Sequence, residues 1–225
     1  MTEPRGRTLG WHVEHRRGSA AALHGADLPD PLPRSVWVLD IDRPALVLGS
    51  TQDERVVDHT VAASLGIEVV RRRSGGGAVL LVPGEVAWLD VIVPAGDPLW
   101  DDDVGRSSRW LGHLWQDVLS EWGIGDTDVH TGPLACGPLG RLVCFCAVGP
   151  GEVTRGDRKV VGISQRRTRA GARFQCAVYT HWDPGLLQPL LRLDDPSTEY
   201  VRQSALGVGV PAADLVATFL RHLPA

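Results

Sequence analysis

Lysine is used a single time in this chain. Of 23 lysine and arginine residues, all but Lys159 are arginine. An ammonium is a compact charge with three donors on a flexible stem, whereas a guanidinium is a planar fork. A position that keeps lysine against this bias is a candidate for amine-dependent chemistry; the plainer reading is one surviving edge lysine at a hairpin mouth. A second segment, Arg71-Arg72-Arg73-Ser74-Gly75-Gly76-Gly77-Ala78, sets three glycines behind three arginines. Glycines let backbone approach a ligand and leave N–H groups free for an anion, and the arginines add charge. The plainer reading is an exposed Gly-rich turn. The segment is neither a P-loop nor a dinucleotide fingerprint. A third, Cys144-Phe145-Cys146, carries two of the four cysteines, the others being Cys136 and Cys176. A thiol becomes a nucleophile where a nearby cation favours its thiolate; small buried hydrophobes are the plainer reading. No cysteine spacing resembles a zinc site, so no metal ligand is assigned, and reduced thiols are the default.

These residues need elements to position them. Ser35–Ile41, Ala45–Gly49, Ile67–Arg71, Ala78–Leu81 and Val86–Val93 read as strands after a Pro-rich loop, Leu28–Arg34. The glycines therefore fall between two strands. Asp53–Leu65 reads as a helix closed by Gly66, and Ser107–Trp122 as the strongest helix, with one apolar stripe from Trp110 to Trp122. A second β-rich group follows: Leu142–Val148, Gly151–Thr154, Lys159–Arg166 and Arg173–Thr180. Gly156-Asp157 forms a hairpin turn. On this reading Cys144 and Cys146 share one strand face, and Lys159, Val161 and Ile163 share another. Ser197–Leu206 and Pro211–Leu223 read as closing helices. The fold class is α+β, a mixed β-sheet with flanking helices. A single catalytic domain over residues 1–225 is expected, with its core at about 35–193, C-terminal helices at 197–223 and no separate accessory domain.

Composition narrows the function. The chain is 43% hydrophobic and 22% charged with net charge −4, which gives a nucleic-acid role no electrostatic support. Met1–Gly10 is polar and has no apolar leader core, and the apolar run at Val86–Pro94 is short and interrupted by Asp90. A cytoplasmic protein without membrane contact is expected.

Taken together the segments resemble the catalytic domain shared by lipoate–protein ligases, octanoyltransferases and, more distantly, biotin–protein ligases. The similarity runs from about Trp37 to Leu193. Pro44–Gln52, ending Gly49-Ser50-Thr51-Gln52, resembles the family's strand and Gly-x-x-Gln turn. Arg72–Val79 resembles the ligases' substrate loop, and Asp157–Gly162 the segment with the family's essential lysine. The Gly-Arg-Gly-Arg signature of biotin ligases is absent. The resemblance implies a fold of the biotin/lipoate ligase type and attachment of an octanoyl or lipoyl group to a lysine of a carrier (lipoyl) domain. In a ligase, ATP with Mg²⁺ activates free lipoic or octanoic acid as an acyl-adenylate. Arg72, Arg73, Ser74, Gly75, Gly76, Gly77, Ala78, Gly162 and Ser164 would bind acid and nucleotide. Lys159 would touch the acyl carbonyl and the α-phosphate. An apolar tunnel would bury about seven methylenes at ~0.8 kcal/mol each.

A sister group, the octanoyltransferases, needs no cofactor. It takes octanoate from a donor such as acyl carrier protein onto a cysteine, in one branch fifteen positions before the motif lysine in a Cys-Phe pair. Cys144-Phe145 stands fifteen before Lys159. Gly77 fits the ligases better, because the cysteine branch carries arginine there. The sequence departs from the pattern at Leu81-Val82, where ligases carry His-Asp; at Gln175-Cys176, where a histidine is common; and at Arg17–Ala21, which lacks an acidic helix. Three readings follow: an ATP-dependent ligase, a transferase with Cys144 as nucleophile, and a non-catalytic binding relative. Lys159→Arg is expected to cause a large loss of turnover with little loss of stability.

Overall fold

Val86–Pro94 is apolar at almost every position because both of its faces are covered. The computed structural model describes residues 7, 8 and 10–225, with side chains from residue 10 onward. The reading of Met1–Gly10 as lacking a leader falls almost wholly outside the described residues. In chain order they form β1 (Arg7–Thr8), β2 (Trp11–Gly18), α1 (Ala20–Gly25), β3 (Ser35–Ile41), β4 (Ala45–Leu48), a 3-10 turn (Glu54–Val56), α2 (His59–Ser64), β5 (Glu68–Arg71), β6 (Val79–Leu81), β7 (Val86–Pro94) and α3 (Arg109–Glu121). Then come β8 (Asp128–Val129), β9 (Ala135–Cys136), a second 3-10 turn (Cys144–Cys146), β10 (Ala147–Val148), β11 (Val153–Arg155), β12 (Arg158–Arg167) and β13 (Gly171–Tyr179). Helices α4 (Leu187–Leu190), α5 (Asp195–Ser204) and α6 (Ala212–Arg221) close the chain.

The large sheet has the order β1-β2-β3-β7-β13-β12-β11-β8; a smaller one has the order β5-β4-β6. Both are mixed: β2 runs parallel to β3 and β4 to β5, while β7, β13 and β12 pair antiparallel. This is the expected α+β architecture. Helices α3 and α6 cover one face of the large sheet, where Trp115, Val118, Leu215 and Phe219 meet Leu89, Val91 and Val178. On the other face the small sheet packs down: Ala45, Val47 and Leu81 meet Trp37, Leu39, Trp88 and Ile92. The site lies in the seam between the two sheets.

Asp90, the interruption in β7, is completely buried, and burial raises its carboxyl above the usual range against the pull of Arg173. Arg173 Nε donates to Asp90 Oδ2 at 2.6 Å, and its other nitrogens donate to the carbonyls of Leu23 and Ala26. One ion pair thus ties α1 to the centre of the sheet.

Two expected elements are corrected. The helix over Asp53–Leu65 is broken into a 3-10 turn and α2. Asp53 accepts from the Arg55 amide, and Asp58 accepts from the Thr60 and Val61 amides, so two caps five residues apart start the helix twice. The strand over Leu142–Val148 is interrupted by a 3-10 turn at Cys144–Cys146 and keeps strand form only at Ala147–Val148. Ala78 bridges Val143 and accepts the Cys144 amide at 2.9 Å, and the Cys146 amide turns back to the Val143 carbonyl at 3.0 Å. Cys144 and Cys146 consequently do not share a strand face. Strand β2 and helix α1 were not assigned from sequence at all. No helix among the described residues is long and apolar enough to cross a membrane.

Candidate active site

Lys159 is a large side chain with only 1% exposure. Its strand is interior to the sheet, paired with β11 and β13, so it is no edge lysine. An ammonium so buried requires a counter-charge. Glu152, 5% exposed, supplies it, with Lys159 Nζ 2.8 Å from Glu152 Oε2. The same Oε2 accepts the Gly149 amide at 2.6 Å, while Oε1 accepts the Ile163 amide at 2.9 Å. Lys159 Nζ also donates to the Cys144 carbonyl at 2.8 Å and sits 5.1 Å from the Phe145 ring centre. Burial, the largest single influence, would lower the Lys159 pKa; the charge and hydrogen bond of Glu152, together with the nearby Cys144 and Cys146 thiols, outweigh it and hold the amine above its ordinary value. The lysine is therefore a fixed cation wired to the backbone of Cys144.

The glycine turn is built by close approach. A Cβ on Gly49 would lie 1.9 Å from the Gly76 carbonyl oxygen, and one on Gly77 2.7 Å from the Cys144 nitrogen. Gly76 adopts φ +99°, where side chains are strained. The amide N–H groups of Gly75, Gly76 and Gly77 have no partner among the described residues. Gln52 braces the turn: its Oε1 accepts the Gly49 amide, and its Nε2 donates to the Arg141 and Leu142 carbonyls.

The three arginines before the turn serve the protein itself. Arg71 donates to the carbonyls of Gly49 and Gln52 and pairs with Glu54. Arg72 is buried and donates to the carbonyls of Val47, Gly75 and Gly77. Arg73 is exposed and pairs with Asp27.

Two cavities meet at Cys144. One is an open cleft of about 1010 Å³, lined by Gly75, Gly76, Gly77, Cys144, Glu152, Lys159 and Ser164 among others. The other is a narrow slot of about 50 Å³ between the sheets, walled by Val47, Val79 and Leu81 from one sheet and Trp88, Ile163 and Ala177 from the other. Cys144 is half-buried and lines both. A Cβ on Gly76 would lie 3.6 Å from Cys144 Sγ, so the backbone of the turn passes beside the thiol. Cys146 is different: burial raises its thiol pKa, and it contacts Ser204 Oγ at 3.0 Å.

Of the residues singled out in the sequence, Lys159, Cys144, the three glycines and Ser164 are brought together around the cleft. Ser74 joins them beneath, with Oγ 3.1 Å from Ser164 Oγ and 3.0 Å from Gln175 Oε1. Gly162 is needed for space, since a Cβ there would lie 3.1 Å from the Phe145 ring. Ala78 acts through its backbone, which receives the Cys144 amide. Arg73 lies outside both cavities. Sequence reasoning missed Glu152 and His24. The signal for Glu152 was an acid immediately before the strand that precedes the lysine strand. His24, in the last turn of α1, carried none.

A buried lysine, a glycine turn with free amides and an inter-sheet apolar slot thus meet at one place in the fold. The chain belongs to the lipoyl protein ligase A/B catalytic domain family, whose pattern matches residues 26–210. A search of curated proteins finds no match. Among solved structures, a lipoate-protein ligase A bound with ATP shares 19% identity at TM-score 0.64, covering 90% of this chain and 75% of that one. A putative lipoate protein ligase from T. acidophilum with bound lipoic acid shares 16% at TM-score 0.68, covering 94% and 82%. LipL1 of P. falciparum in complex with lipoate shares 12% at TM-score 0.57, covering 82% and 45%. At these identities the likeness is one of fold.

Proposed function

We propose that this protein transfers an octanoyl- or lipoyl-type acyl group from a thioester donor to a lysine of a carrier domain, with Cys144 carrying the acyl group between them. The supporting observation is the position of Cys144 at the junction of slot and cleft, beside the free amides of Gly75–Gly77 and with its own carbonyl held by Lys159. The acyl chain lies in the slot, so its carbonyl carbon stops at the thiol. Cys144 Sγ bonds to that carbon, the bond to the donor sulfur breaks, and the Cys144 proton leaves on the donor thiol. The glycine amides meet the oxygen as it becomes negative, when such donors act most strongly. The carrier amine enters from the open cleft and bonds to the carbonyl carbon. The Cys144 thioester breaks, and the amine's proton returns to Sγ. Among the fold relatives, a bipartite ligase from Thermoplasma acidophilum was studied with its E2 lipoyl domain, which makes a lipoyl domain the natural acceptor to test.

A second reading, the ATP-dependent ligase, is favoured by the size of the cleft and by the fold relative that binds ATP. The residues present fit a polyphosphate poorly. Of the two cations lining the cleft, only Arg141 has no carboxylate partner among the described residues; Lys159 is already neutralised by Glu152, and Arg71, Arg72 and Arg73 are engaged. No group of three or more His, Cys, Asp or Glu side chains among the described residues is arranged to hold a metal ion. We therefore derive no step through ATP or Mg²⁺.

The experiment incubates the protein with octanoyl-pantetheine and a lipoyl domain, without ATP. Octanoyl-enzyme by intact mass, its loss in Cys144→Ser and octanoylation of the domain lysine are expected. Unimpaired transfer by Cys144→Ser sinks the nucleophile. Octanoyl-AMP formed from ATP, Mg²⁺ and free octanoate would favour the ligase reading. Binding of the domain or the acid with neither product would leave the third, non-catalytic reading.

A further inference from the structure

The open cleft carries a second thiol that acyl transfer does not use. Cys136 is exposed and lines the cleft together with Cys144. The other two thiols lie elsewhere: Cys146 is buried against Ser204 Oγ, and Cys176 is wholly buried in the core of the large sheet. The backbone links Cys136 to Cys144 in two short steps. The second 3-10 turn is closed by the Ala147 amide, which donates to the Cys144 carbonyl. Residues three apart in such a turn fall on one side of it. Ala147 is in turn the Cα partner of Cys136 in the β9–β10 ladder. A Cβ on Gly140 would lie 2.8 Å from both Cys136 Sγ and Ala147 Cβ, so the Cys136 sulfur sits on the Ala147 side of that ladder. One turn and one ladder rung therefore separate the two thiols. Cys144, Ala147 and Cys136 all line the cleft, whereas Cys146 does not. Strands β9 and β10 have two residues each and form a sheet of their own. Any closing movement that brings the two Cα atoms within disulfide range, roughly 7 Å, thus opposes few bonds.

We propose that Cys136 and Cys144 are a disulfide-forming pair through which a hydroperoxide reversibly switches the site off. The Cys144 sulfur attacks hydrogen peroxide and the O–O bond breaks. One oxygen stays on the sulfur as a sulfenic acid, and the other leaves as water with the thiol proton. The Cys136 sulfur then attacks the Cys144 sulfur, the S–O bond breaks, and a second water carries off that oxygen and the Cys136 proton. Two thiols are oxidised by two electrons to one disulfide, and one peroxide is reduced to two waters. A thiol reductant reverses the step by exchange. Without a partner, the sulfenic acid is oxidised further to a sulfinic acid, which thiols do not reverse. Cys136 thereby protects the cleft thiol. The loss of activity rests on the acyl-transfer reading, because the disulfide removes the sulfur that carries the acyl group; the pairing itself does not.

The test treats the unaltered protein and Cys136→Ser with hydrogen peroxide and digests them without reduction. The unaltered protein should lose about 2 Da in intact mass and yield a peptide pair linked through Cys136 and Cys144. Formation of octanoyl-enzyme from octanoyl-pantetheine should fall at least about tenfold and return on addition of dithiothreitol. Cys136→Ser should form octanoyl-enzyme normally before oxidation. After it, Cys144 should gain about 32 Da and activity should not return with dithiothreitol. A disulfide that joins Cys146 to either thiol, or that joins two protein molecules, overturns the proposal. So does the absence of any linked peptide, or a Cys136→Ser variant that recovers as fully as the unaltered protein. A linked peptide in a protein that never forms octanoyl-enzyme supports the pairing and refutes the acyl-transfer reading. Octanoyl-enzyme without a linked peptide refutes the pairing alone. Folding of the variant is checked by circular dichroism.

Discussion

Glu152→Gln tests the centre of the site with a magnitude that can be bounded. The carboxylate accepts from Lys159 Nζ, the Gly149 amide and the Ile163 amide, while Lys159 and Glu152 side chains are 1% and 6% exposed. Glutamine keeps one acceptor and sets an NH₂ against at least one of those donors. Removing one partner of a buried pair costs about 3–5 kcal/mol, because the other charge stays behind. The lysine can escape this cost by losing its proton. From its ordinary pKa of 10.5, neutrality at pH 7 costs about 5 kcal/mol, at ~1.4 kcal/mol per pH unit. That ceiling falls to about 2 kcal/mol at pH 9. In the unaltered protein the sign is opposite: with a raised folded pKa, the pair's contribution is fully present below 10.5 and is lost only as pH rises through the folded value. Urea unfolding should therefore show Glu152→Gln destabilised by about 3–5 kcal/mol at pH 7, with the deficit shrinking toward pH 9. Transfer activity should move the other way, failing at lower pH than in the unaltered protein as the amine loses its charge. A variant within about 0.5 kcal/mol of the parent from pH 6 to 9, with an unshifted rate profile, would refute the reasoning.

Other expectations follow from the same geometry. Lys159→Arg should lose at least about a hundredfold in turnover, because a planar fork cannot meet both Glu152 and the Cys144 carbonyl from this stem. Burial changes the expectation for its stability: overpacking at a 1% exposed position should cost about 1–3 kcal/mol in urea unfolding. Gly49→Ala should abolish transfer while the fold is retained, since its methyl would displace the Gly76 carbonyl, whereas Gly66→Ala, with nothing near its Cβ, should cost only local backbone strain. His24 is held neutral with its pKa lowered from 6.5 to about 3, so the unfolded chain binds more protons between those values and stability falls as pH drops through that window. The loss should reach about 2 kcal/mol at pH 5 and be absent in His24→Leu, which unfolding midpoints at pH 7 and 5 would check.

The sequence carried the site's most polar features and hid the ones that complete it. Lys159 could be found because it is chemically alone, and Gly75–Gly77 because backbone approach leaves a compositional trace. Glu152 stayed hidden because the register shifts between Val153 and Thr154, so simple counting across the hairpin does not place an acid seven residues away on the lysine. Asp90 was visible only as an interruption; its meaning depends on Arg173, 83 residues later. Strand β2 was missed because only Trp11 and Val13 are buried before charged residues take over. The 3-10 turn at Cys144–Cys146 could not be read locally, since the bridge from Ala78 imposes it.

The placement of cations bears on which donor the site accepts. Polyphosphate binding needs charge that is free before the ligand arrives. Here Arg71 and Arg72 hold the glycine turn together from behind, Arg73 pairs at the surface, and Lys159 is matched by Glu152. Apart from the exposed Arg141 of the cleft, what remains uncommitted beside Cys144 is a set of neutral amide dipoles. Dipoles fixed in place gain little from a neutral thioester and most when its oxygen takes on negative charge, so they favour the transition state over the ground state. A lysine neutralised by its partner does not trap an anionic ligand, yet it holds the Cys144 backbone in place through the Cys144 carbonyl. Such an arrangement suits a neutral, pre-activated acyl donor better than a free acid awaiting activation.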